Sequence, residues 1–149
     1  MAATNLNWIG LDMDLYYNTG THASPVWVLV PNVQDLKRGS SLSEAELNNR
    51  AMKIVQKEPG LEEYVFNWGM IKDETDTIYT AFRTAKDART LMEFAFANAA
   101  IASSGTTYFR IECKFFGWDD DEPLTGGVVT SVTVKPCKSA NAPAWVLVA

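Results

Sequence analysis

The sequence predicts a mainly β fold with a single α-helix. Apolar and polar residues alternate with period two along most of the chain, and only one stretch repeats at helical spacing. The 149 residues are 47% hydrophobic and 21% charged, the size and composition of one domain able to bury a core without metal or disulfide staples.

The first strand is residues 11–17, where Leu11, Met13, Leu15 and Tyr17 alternate with Asp12, Asp14 and Tyr16 until Asn18-Thr19-Gly20 turns the chain. In residues 26–33, Trp27 and Leu29 face one way and Val26, Val28 and Val30 the other. A strand apolar on both faces is covered on both, by its own domain or by another subunit. Pro31 inside it predicts an edge or a bulge. Residues 37–57 are ambiguous. Ser43 and Glu46 stand at capping-box spacing and Leu47, Ala51 and Val55 recur every fourth residue, yet residues 50–56 also tolerate a strand. Pro59-Gly60 signals a turn into the next strand. The expectation is a mobile polar loop running into a strand.

Tyr64, Phe66, Trp68 and Met70 then fill one face of a strand over residues 62–71. Ile78, Tyr79, Phe82 and Ala85 make one apolar stripe on a helix from about residue 75 to 87. Asp73 or Thr75 is placed to cap it, with Asp76 in its first turn and Arg83, Lys86 and Arg89 near its end. Met92, Phe94 and Phe96 line the next strand. Over residues 106–117, Phe109, Ile111, Cys113 and Phe115 oppose Tyr108, Arg110, Glu112 and Lys114. An acidic turn, Asp119-Asp120-Asp121-Glu122, precedes a final strand over residues 128–137 with Val128, Val132 and Val134 inward. Residues 138–149 carry Trp145 and show no partner of their own. No repeat or boundary divides residues 1–149, so they read as one domain.

Charge and inventory narrow the function. Thirteen Lys and Arg against 18 Asp and Glu leave a net charge of −5, which disfavours tight binding to nucleic acid or an anionic membrane. No apolar run is long enough to span a bilayer, and residues 1–10 lack the pattern of a signal peptide. The expectation is a soluble chain kept in a reducing cytoplasm. One histidine, His22, and two cysteines, Cys113 and Cys137, do not make a zinc site. His22 is expected on a surface loop. Strand parity puts Cys113 on a core face and Cys137 on a polar one, so both are expected as free thiols. The acidic cluster lacks the spacing and glycine of a calcium loop and reads as a solvated turn. No catalytic constellation appears, so no enzyme activity, metal or cofactor is expected. Trp8 and Trp145 lie outside any predicted strand; they suit docking onto another surface, or folding back on their own domain.

The order and spacing of several stretches is more specific. WVLVPNVQDLKRG with the polar loop after it, EPGLEEYVFNWGM, DTIYTAFRTAKDA and DEPLTGGVVTSVTVKPCKSANAPAWV together cover most of residues 27–146. In these the chain resembles the tail tube proteins of long-tailed bacteriophages and of related prophage-derived particles. The resemblance implies an antiparallel β-sandwich or barrel-like domain with one flanking helix, a long loop and terminal arms. It further implies hexameric rings stacked into a hollow tube that conducts DNA. By that resemblance residues 37–50 are the inter-subunit loop, with Arg38, Glu44, Glu46 and Arg50 as ion-pair partners. Residues 1–8 and 138–149 become the arms, and Trp8, Trp27 and Trp145 become contact residues. Asp12 and Asp14, on the polar face of the first strand, are candidates for lining a lumen in which carboxylates repel phosphates. The implied partners are further copies of the chain, tape-measure, tail-tip and terminator proteins, and DNA in transient, non-specific passage, with no membrane binding. The implied location is the virion tail, assembled in the host cytoplasm. The capping box at Ser43 and Glu46 departs from the extended loop of that family. The alternatives are a monomeric or dimeric β-sandwich binding module, a tail-terminator or injection-tube relative on the same fold, and a small enzyme using the acidic turn and a metal.

Overall fold

A computed structural model describes residues 13–48, 50–51 and 53–149. In chain order they form β1 (Asp14–Asn18), β2 (Trp27–Leu29), β3 (Val33–Glu46), β4 (Lys57–Ile71), α1 (Thr77–Ala88), β5 (Met92–Ala97), β6 (Thr107–Asp121), β7 (Val129–Pro136) and β8 (Ala144–Leu147). The strands pair antiparallel in one eight-stranded sheet of order β2-β1-β5-β6-β7-β4-β3, with β8 also on β6. It is not closed into a barrel: β2 and β3 are its edges. β7 and β8 follow one edge of β6 in succession. β7 pairs with Cys113–Asp121, the chain leaves at Pro136, and it rejoins at Ala144 to pair with Thr107–Arg110.

The sheet is rolled. β4 and β5 are separated by β6 and β7, three strand spacings or about 14 Å if the sheet were flat. Yet the rings of Phe66 on β4 and Phe96 on β5 stack with centroids 4.4 Å apart. Burial of the alternate apolar residues drives this closure, and they form one core from Leu15, Tyr17, Phe66, Trp68, Phe94, Phe96, Ile111 and Val132, among others. The mainly β, antiparallel, one-helix architecture is the one the sequence predicts.

Helix α1 stoppers one end of the roll. Its predicted stripe points inward: Phe82 is fully buried, with its ring 5.1 Å from Tyr17 and 5.7 Å from Phe94. The cap is Asp76, whose side chain accepts from the Ile78 amide at 3.0 Å. Neither predicted cap serves, because the Asp73 carboxylate instead accepts from the amide and hydroxyl of Thr75 one turn earlier. Arg89, at φ 57°, ends the helix by donating to the carbonyls of Ala85 and Lys86.

Five expectations are corrected. Residues 37–46 are strand rather than loop, because cross-strand pairing with β4 outcompetes the local helical pattern. The hydroxyl of Ser43, instead of capping a helix, accepts from the Leu61 amide at 2.8 Å across a β-bulge. Pro59-Gly60 lies within β4 and not at a turn, and a Cβ on Gly60 would clash with the Ser43 hydroxyl oxygen. Asp119, Asp120 and Asp121 end β6 instead of forming a turn, paired with Ser131, Thr130 and Val129. The C-terminal stretch finds a partner in its own chain, β6. As expected, Pro31 follows an edge strand, and Cys113 and Cys137 are free, with Cys113 in the core.

Candidate functional site

The candidate site is a surface built by β3 and β4. β4 is paired with β7 only from Phe66 onward, so residues 39–46 and 57–65 form a two-stranded ribbon projecting beyond the sheet. Pro59 is compatible with this stretch because, among the described residues, no strand lies on its other side. The ribbon is held by its own pairs, with Lys57 Nζ 2.7 Å from Glu44 Oε2. A two-stranded hairpin by itself is marginal in water, and this one exposes large apolar side chains among its charged ones. Leu61 is 85% exposed, and Leu42, Leu47, Ile54 and Val55 are all exposed along the ribbon and its tip. Leu42 and Leu61 share a groove of about 560 Å³ with Phe116, Lys135 and Pro136. Phe116 is turned outward by a bulge in β6 between Phe115 and Gly117.

The other residues singled out from sequence fall in three places. Glu44, Glu46 and Arg50 belong to the ribbon and its tip, with Glu44 engaged by Lys57 and Glu46 accepting from Asn48 at 3.4 Å. Arg38 and Trp145 meet elsewhere: the guanidinium carbon of Arg38 lies 5.9 Å from the Trp145 ring and 5.8 Å from that of Phe96. Trp27 packs on the outer face of the sheet, 5.7 Å from Tyr108, in a small cluster with Tyr16, Ala95 and Ala97. On that face of β2 Trp27 is partly covered by its own chain, whereas Leu29 is 48% exposed. Asp14 starts β1 opposite Ala97, half-buried. Trp8 and Asp12 lie outside the described residues.

The sequence reading missed a polar cluster on that outer face. Glu93, only 7% exposed, receives Arg110 Nε at 3.1 Å and Nη2 at 2.7 Å, Asn18 Nδ2 at 2.8 Å, and stands 2.7 Å from His22 Nδ1. Glu112 is 3.7 Å from the same histidine nitrogen and is bound by Ser139 and Asn141. Burial pushes the Glu93 carboxyl up, but hydrogen bonds from Arg110, Asn18 and His22 outweigh it and hold the group below the usual carboxylate range. His22, Glu93 and Glu112 come close enough to hold a cation. The positive charge there is already supplied by Arg110, which grips both oxygens of Glu93 and makes the cluster a salt-bridge network. No local signal marks the cluster: it follows from the register that sets Glu93 directly across from Glu112, where two facing carboxylates require a cation between them.

No protein-family model and no curated protein matches the chain. Solved structures do. The tail tube of SPP1 superposes with a TM-score of 0.73 at 14% identity, covering 95% of this chain and 80% of that one. A chain of the tail of an empty gene transfer agent particle, refined with C6 symmetry, gives 0.68 at 11% identity over 95% and 98%. A chain of the PVC sheath–tube complex, an extracellular contractile injection system in its extended state, gives 0.67 at 8% identity over 99% and 100%. The chain has the fold found in tail tubes.

Proposed function

We propose that this chain is a structural subunit that assembles into hexameric rings stacked as a hollow tail tube, through which DNA passes. The observation that carries the reading is the projecting ribbon with its exposed apolar side chains. A two-stranded hairpin bearing exposed Leu42, Leu61, Ile54 and Val55 gains stability by burying those side chains against another copy. Two further features support it. The open sheet edges β2 and β3 offer backbone donors and acceptors to neighbouring subunits. The six-fold symmetry of the similar gene transfer agent tail suggests the ring number. In this reading the chain is not an enzyme and requires no cofactor. Its partners are its own copies and the tape-measure, tip and terminator proteins of a virion tail assembled in the host cytoplasm. Within the ring Glu44, Glu46 and Arg50 lie on the inter-subunit ribbon, and Asp12 and Asp14 line the lumen.

Negative-stain electron microscopy of the purified protein over a concentration series tests this. Hollow tubes or stacked rings are expected. Small uniform particles at every concentration, unchanged by added tail-tip extract, refute it and favour a binding module.

A further inference from the structure

Lys114 on β6 is paired directly with Lys135 on β7. Cys113 and Val134, next to them in sequence, lie in the core, so both lysines stand on the outer face of the roll. Like charges set across a strand pair repel. Among the described residues, neither lysine has a carboxylate within ion-pair distance. Glu112, two residues along the same face, is engaged by Ser139, Asn141 and His22. Glu63 lines the same groove as Lys135 without pairing to it. Beside the lysines Phe116 is 61% exposed, its ring centroid 5.8 Å from Lys135 Nζ. The face thus offers two uncompensated cations next to a bare aromatic ring.

The ribbon is its complement. Residues 39–46 and 57–65 carry Glu44, Glu46, Glu58, Glu62 and Glu63 against the single cation Lys57, which is engaged by Glu44. Glu46 and Glu58 stand at the far end, next to the exposed Leu47, and no cation of the described residues pairs with them. The lysines of their own chain are out of reach. Lys135 follows Val134, the partner of Phe66, and Glu58 is eight residues before Phe66, about 26 Å of extended strand.

We infer that the far end of the ribbon docks on the Lys114–Lys135–Phe116 face of a second copy. Glu46 and Glu58 meet the two ammonium groups, and Leu47 covers the Phe116 ring. The ribbon end and this face are different surfaces of one chain, so the contact is heterologous. Each copy that docks leaves its own face open to the next, and association propagates. The inference rests on the tube reading for the number of copies, whereas the contact itself needs only two.

Zero-length cross-linking tests it. Full-length wild-type protein, half of it 15N-labelled, is treated with a carbodiimide, which joins a carboxylate to an amine only where they touch, and is then digested for mass spectrometry. Amide links from Glu46 or Glu58 to Lys114 or Lys135 are expected in peptides of mixed label. Tubes that form without these links overturn the inference and leave the tube reading standing. Mixed-label links in a sample that forms only small particles uphold the contact and remove the tube. Absence of both overturns both. Charge reversal reads the same contact by sedimentation velocity. K114E/K135E and E46K/E58K each set like charges against each other, so each alone should lose the fast-sedimenting species. A 1:1 mixture should regain it, because the acidic ribbon of one variant meets the basic face of the other. A mixture that stays small, or a double variant that assembles as the wild type does, overturns the inference.

Discussion

Arg110 grips Glu93 with two nitrogens, at 2.7 and 3.1 Å, although the residue paired with Glu93 across the sheet is Glu112 and the one paired with Arg110 is Ala95. The contact is therefore diagonal, and it neutralises what would otherwise be two carboxylates facing each other on an outer face that the chain itself covers. Removing Glu93 alone leaves the guanidinium of Arg110 poorly compensated. The variant E93Q is expected to lose about 3 kcal/mol of stability at neutral pH. Chemical denaturation of the two proteins measures it.

The same carboxyl sets a pH signature. Because its folded pKa is depressed, the unfolded chain binds the proton more readily, and the stabilisation is complete above the ordinary carboxylate value of about 4.3. It is lost as pH falls through the lower folded value. The stability gap between wild type and E93Q should be constant from about pH 6 upward and should shrink on acidification below pH ~4. A gap independent of pH would show that the lost contribution is packing and not charge.

Phe82 is fully buried at the centre of the helix stopper, against Tyr17, Trp68, Phe94 and Phe115. F82A opens a cavity that rigid strand backbones cannot collapse into. The expected cost is about 4 kcal/mol, or a Tm lower by roughly 12 °C for a chain of this size. Differential scanning calorimetry reads it directly.

These core positions were legible in the sequence because their signal is periodic. Phe82 stands on a 3.6-residue stripe, and Phe66, Trp68, Phe94 and Phe96 stand on period-two faces; the burial of these residues follows from the alternation alone. The ribbon was not legible for a physical reason. Ser43, Glu46, Leu47 and Ala51 carry a fair local helix pattern, and only the partner strand, with Leu61 donating its amide to Ser43, decides between helix and strand. Tertiary pairing is invisible to a local reading. His22 was likewise lost, because its partners Glu93 and Arg110 lie 71 and 88 residues away. Trp145 was left open between its own domain and another surface, and the pairing of Ala144–Leu147 with β6 is a choice that no residue in that short stretch announces.

Charge reversal tests the proposed lumen lining. Asp14 begins β1 on the face opposite Leu15 and away from the core, and Asp12, two residues earlier in the sequence, lies outside the described residues. Changing both to Lys turns two repelling carboxylates into two attracting ammonium groups per subunit. D12K/D14K particles should assemble tubes of normal length but release DNA more slowly, with the delay relieved by salt. A time course of DNA ejection at two ionic strengths gives the answer, and an unchanged rate overturns the proposal that these residues line a lumen.

Assembly is the property most directly separable from folding. Leu61 is 85% exposed and its neighbours Leu42 and Phe116 are exposed too, so a polar substitution here removes little that the isolated subunit uses. L61E should keep the melting temperature within the range of a surface change, about 0.5 kcal/mol or less. In a tube the same carboxylate must enter an apolar contact that recurs in every subunit, at a desolvation cost of a few kcal/mol each time. Sedimentation velocity should then show L61E remaining small at concentrations where the wild type forms fast-sedimenting rings or tubes. The isosteric L61M should polymerise as wild type does, because it keeps the apolar volume while changing its shape. If L61E polymerises normally, the ribbon is not the assembly surface, and the open edges β2 and β3 must carry the contact without it.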